Sequence, residues 1–493
     1  MAEKTIVVFV HGWSVRSTDT YGALPQRLGD VADVHHVWLS RYVSFRDEVR
    51  VEDLSRAFEA ALRREIGTEL AKGRRFAAIT HSTGGPVVRD WWHRLYVARG
   101  RAADVPMSHL VMLAPANFGS ALAQLGKGTL SRIKTWFQGV EPGTGVLDWL
   151  ELGSPESMAL NASWIDQSPS WKGAGKRPPV FPFVLTGQTI DRKLYDHVNS
   201  YTGESGSDGV VRVAAANLNS TLVRLRQEKP RSVGSKWEAP ELVAESISRA
   251  PECALAVLPG RSHSGDEMGI LRSVGTDAPH PTVDAVLRAL AVRTPADYRR
   301  VAAEFAALTE RTQRDERIEI VERFFILKDR PFVHDRHAQV IVRVADDAGR
   351  ALEDFDFLMT AGKEGDPNHL PPGFFVDRQR NRRHKGTLTY YLDHDVMEGG
   401  KAVIRDGKVL REKSPGAKRL GFRIVPRPEE GFVHYLPCEL SATEAVLEDL
   451  LRANETLVLD VVLRRVVREG AFTLTRDLEP RDFTEAPPGT PLE

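Results

Sequence analysis

An almost unbroken apolar run, Thr5–Val10, opens the chain, and similar runs return at Val34–Trp38, Phe76–Thr80, His109–Ala114, Val180–Thr186 and Cys253–Leu258. Continuous rather than alternating apolar runs are what strands covered on both faces show. Between them, Val51–Leu70 and Pro86–Arg99 carry apolar residues at helical spacing. Pro281–Val292 has the same period. Thr294-Pro295-Ala296-Asp297 then supplies an N-cap, a proline at the first helical position and an acid two residues later, opening a helix to about Asp315. Short apolar runs alternating with helices predict βα units around a mainly parallel sheet with helices on both faces.

The pattern changes near Ile318. From there the runs are β-rich: Val321–Leu327, His337–Val344, Phe355–Thr360, Thr387–Leu392, Leu420–Val425 and Leu457–Val467, with Ala442–Leu451 as the one helical segment. Turn residues lie between them, as in an all-β sandwich. At 493 residues the chain is too long for one core. The expected division is an α/β domain over 1–292, a helical linker over 293–317 and a β-rich domain over 318–493. No internal repeat or low-complexity tract interrupts it.

Charge narrows the function by exclusion. Lys plus Arg and Asp plus Glu both number 67, so no net field recruits nucleic acid. No stretch approaches the roughly 20 apolar residues of a membrane-spanning helix, and Val10 runs into His11-Gly12, not a signal-cleavage site. The two cysteines, Cys253 and Cys438, lack metal-ligand spacing and read as buried free thiols in a reducing compartment, with a disulfide between domains as the alternative. These features fit a cytoplasmic chain; secretion that ignores N-terminal signals would leave the same sequence.

The strongest chemical signal is Phe76-Ala77-Ala78-Ile79-Thr80-His81-Ser82-Thr83-Gly84-Gly85, a strand running through a serine into a helix. A sharp strand-to-helix turn lifts the serine hydroxyl out of the sheet, and small residues two before and two after it permit the bend. Gly84 meets that demand; Thr80 stands where glycine is usual. The helix N-terminus beneath the serine favours negative charge. A Ser-Thr-Gly-Gly turn without chemistry is the plainer reading of the same residues.

His81-Ser82-Thr83-Gly84-Gly85 resembles the nucleophile elbow of lipases and esterases in the α/β-hydrolase superfamily. His11-Gly12-Trp13, directly after the first apolar run, is similar to the oxyanion-loop motif of those enzymes, and Ala114-Pro115-Ala116-Asn117-Phe118-Gly119-Ser120 to their segment after the next strand. The resemblance covers about the first 275 residues and leaves the C-terminal domain unexplained. It implies an α/β-hydrolase fold, Ser82 as nucleophile, and the backbone N–H groups of Trp13 and Thr83 as oxyanion donors, each such donor being worth about 3–4 kcal/mol in the transition state. A plain βα turn would also account for His11-Gly12-Trp13.

The base should follow the last strand. Among the fifteen histidines, His263 alone sits in that loop, Pro259-Gly260-Arg261-Ser262-His263-Ser264-Gly265. Neutral imidazole there can accept the serine proton. His81 adjoins the nucleophile, but its side chain is expected to point away. The acid should follow Val180–Thr186, where Asp191, Asp196, Glu204 and Asp208 all qualify by order. Ser207-Asp208-Gly209-Val210-Val211 resembles the acid loop of many lipases, which favours Asp208, with Asp196 next; a hairpin turn explains Asp-Gly equally well. The order Ser82, Asp208, His263 is that of the superfamily.

The insertion from about 120 to 171 holds Leu122, Leu125, Ile133, Trp136, Phe137, Val146, Leu147, Trp149, Leu150 and Leu152. It suits a lid over an acyl chain, or else ordinary core helices. With the resemblance it points to a lipid ester, a phospholipid among the candidates. Phe374 and Phe375 beside Arg378, Arg380, Arg382, Arg383 and Lys385 suit peripheral contact with an anionic membrane, though the phenylalanines could equally be core. Asp346-Asp347 and Asp393-His394-Asp395 form no recognisable calcium loop, so neither a metal nor another cofactor is expected. A lipase or phospholipase leads. An acyltransferase with the same triad and a non-catalytic binding module on this scaffold are the alternatives.

Overall fold

The computed structural model describes residues 4–10, 18–37, 49–126, 144–166, 179–190, 205–229, 232–233, 236–237, 240–321, 330–467, 476, 482 and 484–487. Strands β1 (Thr5–Val10), β2 (Ala32–Val37), β3 (Phe76–His81), β4 (Met107–Leu113) and β5 (Phe181–Thr186) follow the predicted runs closely. Next, β6 (Ser220–Gln227) and β7 (Leu242–Arg249) depart to another sheet, and β8 (Ala254–Val257) returns. The first sheet has the order β8-β5-β4-β3-β1-β2, and every pairing in it is parallel.

Both faces of this sheet are dry, which is why its strands are unbroken in apolarity. Ile6, Val8 and Val10 point to one hydrophobic cluster, and Val7 and Phe9 to another on the opposite face. Helix α1 (Val51–Ala71) presents Val51, Leu54, Phe58, Leu62 and Ile66, spaced three or four apart, to the first cluster. Helix α2 (Gly84–Leu95) and helix α3 (Pro155–Asp166) join it there. Helices α4 (Pro281–Leu290) and α5 (Pro295–Asp315) cover the other face through residues such as Val283, Val286 and Phe305. The predicted cap of α5 is present: Thr294 Oγ1 accepts from Asp297 N at 3.1 Å, and Asp297 Oδ2 accepts from Thr294 N at 3.1 Å.

Besides short strands in two-stranded sheets, the chain contributes β9 (His337–Asp346), β10 (Phe355–Ala361), β11 (Phe375–Arg380), β12 (Thr387–Asp393), β13 (Arg419–Pro426), β14 (Cys438–Thr443) and β15 (Thr456–Leu463). A mixed sheet runs β11-β12-β9-β15-β6-β7, and a smaller antiparallel one β10-β13-β14. Val223, Val340, Leu388, Phe357, Phe422 and Ile424 come from both sheets and share one core, the arrangement of a sandwich. Its membership crosses the expected boundary at 292, because β6 adds to β15 in parallel, Ser220 opposite Thr456 through Arg226 opposite Val462, and β7 pairs antiparallel with β6. Of the expected strand Val321–Leu327, only its first residue is described, as the end of Ile318–Val321; residues 322–329 lie outside the described residues.

The described part of the 120–171 insertion is not a detached lid. Val146, Leu147, Trp149 and Leu150 are buried in the α/β core, and Trp164 on α3 meets Trp92 on α2 edge-on, with centroids 6.0 Å apart. These are core helices, because their large side chains fill space beside α2. Ile133, Trp136 and Phe137 lie outside the described residues. Among the described residues no helix is long and apolar enough to cross a membrane. Cys253 and Cys438 are buried free thiols.

Candidate active site

The turn from β3 into α2 holds Ser82 at φ 52°, in the left-handed region. For a residue with a Cβ, such a conformation costs about 1–3 kcal/mol and persists only where neighbours impose it. Here Ser82 N donates to Leu113 O at 3.0 Å, and Gly85 N to Ser82 O at 3.2 Å. A Cβ on Gly85 would stand 3.0 Å from Pro115 Cβ and 3.4 Å from Met112 Cγ. The glycine therefore lets α2 settle against the end of β4. Gly84 is buried as the first residue of α2, and Thr80 is buried in β3. The bend raises the serine hydroxyl above the carboxyl ends of parallel strands, where α/β folds place their ligands.

His263 arrives on the loop after β8. That loop is closed by Ser262 N donating to Met268 O at 2.9 Å and Ile270 N to Ser262 O at 2.8 Å. Its approach to the end of β5 depends on Gly187, where a Cβ would fall 1.8 Å from Arg261 O. Glu316, at the C-terminal end of α5, accepts from Gly260 N on one oxygen and from Thr189 Oγ1 at 3.2 Å on the other. Burial raises the Glu316 pKa, opposed by those hydrogen bonds.

Asp208 is fully buried, and its Oδ1 accepts from Val210 N at 3.0 Å and Val211 N at 2.7 Å. His263 N donates to Asp208 O at 2.9 Å, joining the two loops along their backbones. The side chains complete a relay. His263 Nδ1 donates to Asp208 Oδ2 at 3.0 Å, and its Nε2 faces Ser82 Oγ at 3.1 Å. A carboxylate only accepts, so Nδ1 carries the proton and Nε2 is the basic nitrogen. The hydroxyl at 82 and the imidazole at 263 are therefore in reach of each other, and the acid at 208 stands behind them.

His81 departs from expectation. Its ring does not turn away: Nε2 donates to His263 O at 3.2 Å, and the two ring centroids are 4.9 Å apart. It buttresses His263. Thr83 occupies the N-cap position of α2 and is buried, beside Ser82 at the turn. His11, Gly12 and Trp13 lie outside the described residues, as do the alternative acids Asp191, Asp196 and Glu204.

No protein-family model and no curated protein matches this chain. Among solved structures, phospholipase PlaB from Legionella pneumophila is 42% identical, with 99% of this chain and 100% of that one covered and a TM-score of 0.84. The same figures hold for PlaB in complex with thio-NAD. This chain belongs to the PlaB phospholipase family. It is an ester hydrolase of α/β-hydrolase fold.

In this PlaB-family chain the proposed membrane-contact segment is divided between core and surface: Phe375, Arg378, Arg382, Arg383 and Lys385 are exposed, and Phe374 is not. Phe374 is fully buried in the sandwich core, whereas Phe375 is 44% exposed. Arg380 donates to Glu353 O at 2.9 Å and Phe355 O at 3.0 Å, and Arg383 pairs with Asp148 of the α/β domain. The segment serves to join the two halves, because Asn381 Nδ2 also donates to Leu152 O at 3.1 Å. Among the described residues, His394, Asp395 and Glu398 bring ligand atoms within 4.8 Å of one another, but Arg336 already pairs with both carboxylates.

Arg89 on α2 is a buried cation that the sequence pattern does not single out. It donates to Asn117 Oδ1 at 3.1 Å and Asn161 Oδ1 at 2.9 Å, tying α2 to the segment after β4 and to α3. Burial pushes its pKa down to about 9, so it remains charged at neutral pH. Helical spacing alone places Arg89 on α2 without revealing that both of its neighbours there are amides from other elements.

Proposed function

We propose that the chain hydrolyses carboxylic ester bonds of phospholipids through an acyl-enzyme on Ser82, with His263 as base and Asp208 as the acid that orients it. The observation that carries this reading is the continuous relay from Ser82 Oγ through the imidazole to a buried carboxylate, with the serine held on a left-handed bend. The identity with PlaB over the whole chain supports the substrate class.

His263 Nε2 takes the proton as Ser82 Oγ attacks the ester carbonyl, and Asp208 stabilises the imidazolium. The backbone N–H groups of Thr83 and Trp13 would receive the oxyanion. Collapse expels the alcohol portion, a lysophospholipid, which takes the proton from His263. Water, deprotonated by the same nitrogen, then attacks the acyl-enzyme and releases a fatty acid. In an acyltransferase a second alcohol would replace that water. Residues 1–292 supply the reacting groups in this reading, α5 within 293–317 covers the first sheet, and 318–493 with β6 and β7 builds the β-rich half. Contact with an anionic lipid surface would rest on the exposed Phe375, Arg378, Arg382 and Lys385.

Digestion of vesicles made from a mixed lipid extract, with products identified by mass, tests the reading. Free fatty acid and lysophospholipid should appear, faster from anionic than from neutral vesicles. Intact lipids after prolonged incubation would refute it, and transfer to an added acceptor alcohol would favour the acyltransferase.

A further inference from the structure

The acid loop is held from two sides. Towards the α/β half its backbone accepts from Ser120 Oγ at Val210 O, 2.6 Å, from His263 N at Asp208 O, 2.9 Å, and from Phe118 N at Ala215 O, 2.9 Å. The other side rests on the sandwich. Tyr391 of β12 points its hydroxyl at Gly206 O, 3.1 Å away, and Ser205 O, 3.2 Å away. The guanidinium carbon of Arg212, which ends the loop, lies 4.2 Å from the centroid of that same tyrosine ring, and Arg212 pairs with Asp377 of β11. His337 stacks on Tyr391 with centroids 4.7 Å apart and planes 11° from parallel.

The fit leaves no slack. Tyr391 is fully buried and Arg212 is 2% exposed. Gly206 has φ 71°, and a Cβ there would lie 2.6 Å from both Tyr391 Oη and His337 Nδ1. A buried guanidinium is expensive unless paired, and this one has both a carboxylate and an aromatic face. Neither reaches Ser82 among the contacts described. What they hold is the stretch of backbone that carries Asp208.

We propose that Tyr391, Arg212 and Asp377 are positioning residues that fix Asp208 against His263, so that the C-terminal sandwich is a working support of the active site. The inference rests on Asp208 being the acid of the relay. A carboxylate displaced by a fraction of an ångström still accepts from Val210 and Val211, since those bonds travel with the loop; what it loses is its alignment with the imidazole. Misplacement on the order of 1 Å can reduce turnover about 100-fold.

The test uses the full chain and a soluble short-chain p-nitrophenyl ester, so that vesicle binding plays no part. Tyr391→Phe keeps the ring under Arg212 and removes only the hydroxyl. It should lower kcat about tenfold with KM within about twofold, and Asp377→Asn, at a partly exposed side chain, about threefold. Asp208→Asn should lower kcat by about 1,000-fold or more. In the Asp208→Asn background, Tyr391→Phe should produce no further loss, because a residue acting through the acid has nothing left to position. A further tenfold loss there would assign Tyr391 to general folding and overturn the proposal, as would wild-type kcat in both Tyr391→Phe and Asp377→Asn. Wild-type kcat in Asp208→Asn would instead remove the acid itself, and the reading of the site with it.

Discussion

At Ser82 the restraints come from close along the chain or from the adjoining strand: a sharp bend between β3 and α2, the carbonyl of Leu113, and a glycine three residues on. At Asp208 they come from Ser120 and the His263 backbone on one side and from Tyr391, Arg212 and Asp377 on the other. The first kind of restraint is a local fold that any strand-turn-helix can make. The second needs a whole second domain in place. The site therefore joins a locally encoded serine turn to an imidazole–carboxylate pair whose geometry is assembled over long range.

Ser82→Ala cuts deepest on the local side. Removing the hydroxyl should abolish ester hydrolysis, a loss of about 10⁶ in kcat for a relay of this type, and with it labelling by a fluorophosphonate probe. Ser82 is only half-buried and small, so the melting temperature should move by about 2 °C or less. Retained labelling would take the nucleophile away from position 82.

Gly187→Ala attacks the long-range side. The new Cβ would fall 1.8 Å from Arg261 O, a backbone atom that can yield only if the His263 loop moves. Both turnover and stability should fall, kcat by about 100-fold and the melting temperature by several degrees. Wild-type kcat in this variant would mean that the loop has slack, and the contrast between the two sides would weaken.

That contrast also explains what was legible in the sequence. The first sheet could be read because strands buried on both faces must be continuously apolar, and the meeting of Ser82, Asp208 and His263 because each occupies a loop whose place follows from strand order. β6 and β7 were lost for the opposite reason. Ser220–Gln227 interleaves Arg224 and Arg226 with Leu225, a half-buried pattern that suits any sheet edge, and nothing local says that its partner is β15, more than two hundred residues away. Phe374 was ambiguous between membrane and core because an aromatic pair before a basic run has the same composition in both settings. Tyr391 was read only as part of a strand, since the carbonyls its hydroxyl meets belong to a loop remote in sequence. His81 was misjudged because alternation along β3 fixes the direction of Cβ but not the return of the His263 loop over it.

The smallest expected effect concerns the sandwich alone. Asp393 ends β12 and caps the next helix, its Oδ1 accepting from Val396 N at 2.8 Å. Burial, with the negative Asp335 adding to it, raises its pKa to about 7. In the unfolded chain the same group titrates near 4. Between about pH 4 and pH 7 the folded state thus holds a proton that the unfolded state has released, and stability falls as pH rises through that window. Asparagine keeps the capping oxygen and has no proton to lose. Asp393→Asn should therefore melt with the wild type near pH 4 and a few degrees above it at pH 8, while kcat at pH 7 stays within about twofold. If both proteins lost stability equally between pH 4 and pH 8, the carboxyl would not be the group that titrates. If kcat rose along with the melting temperature, the sandwich would be limiting the site through its own looseness, and the support it gives Asp208 would be elastic rather than fixed.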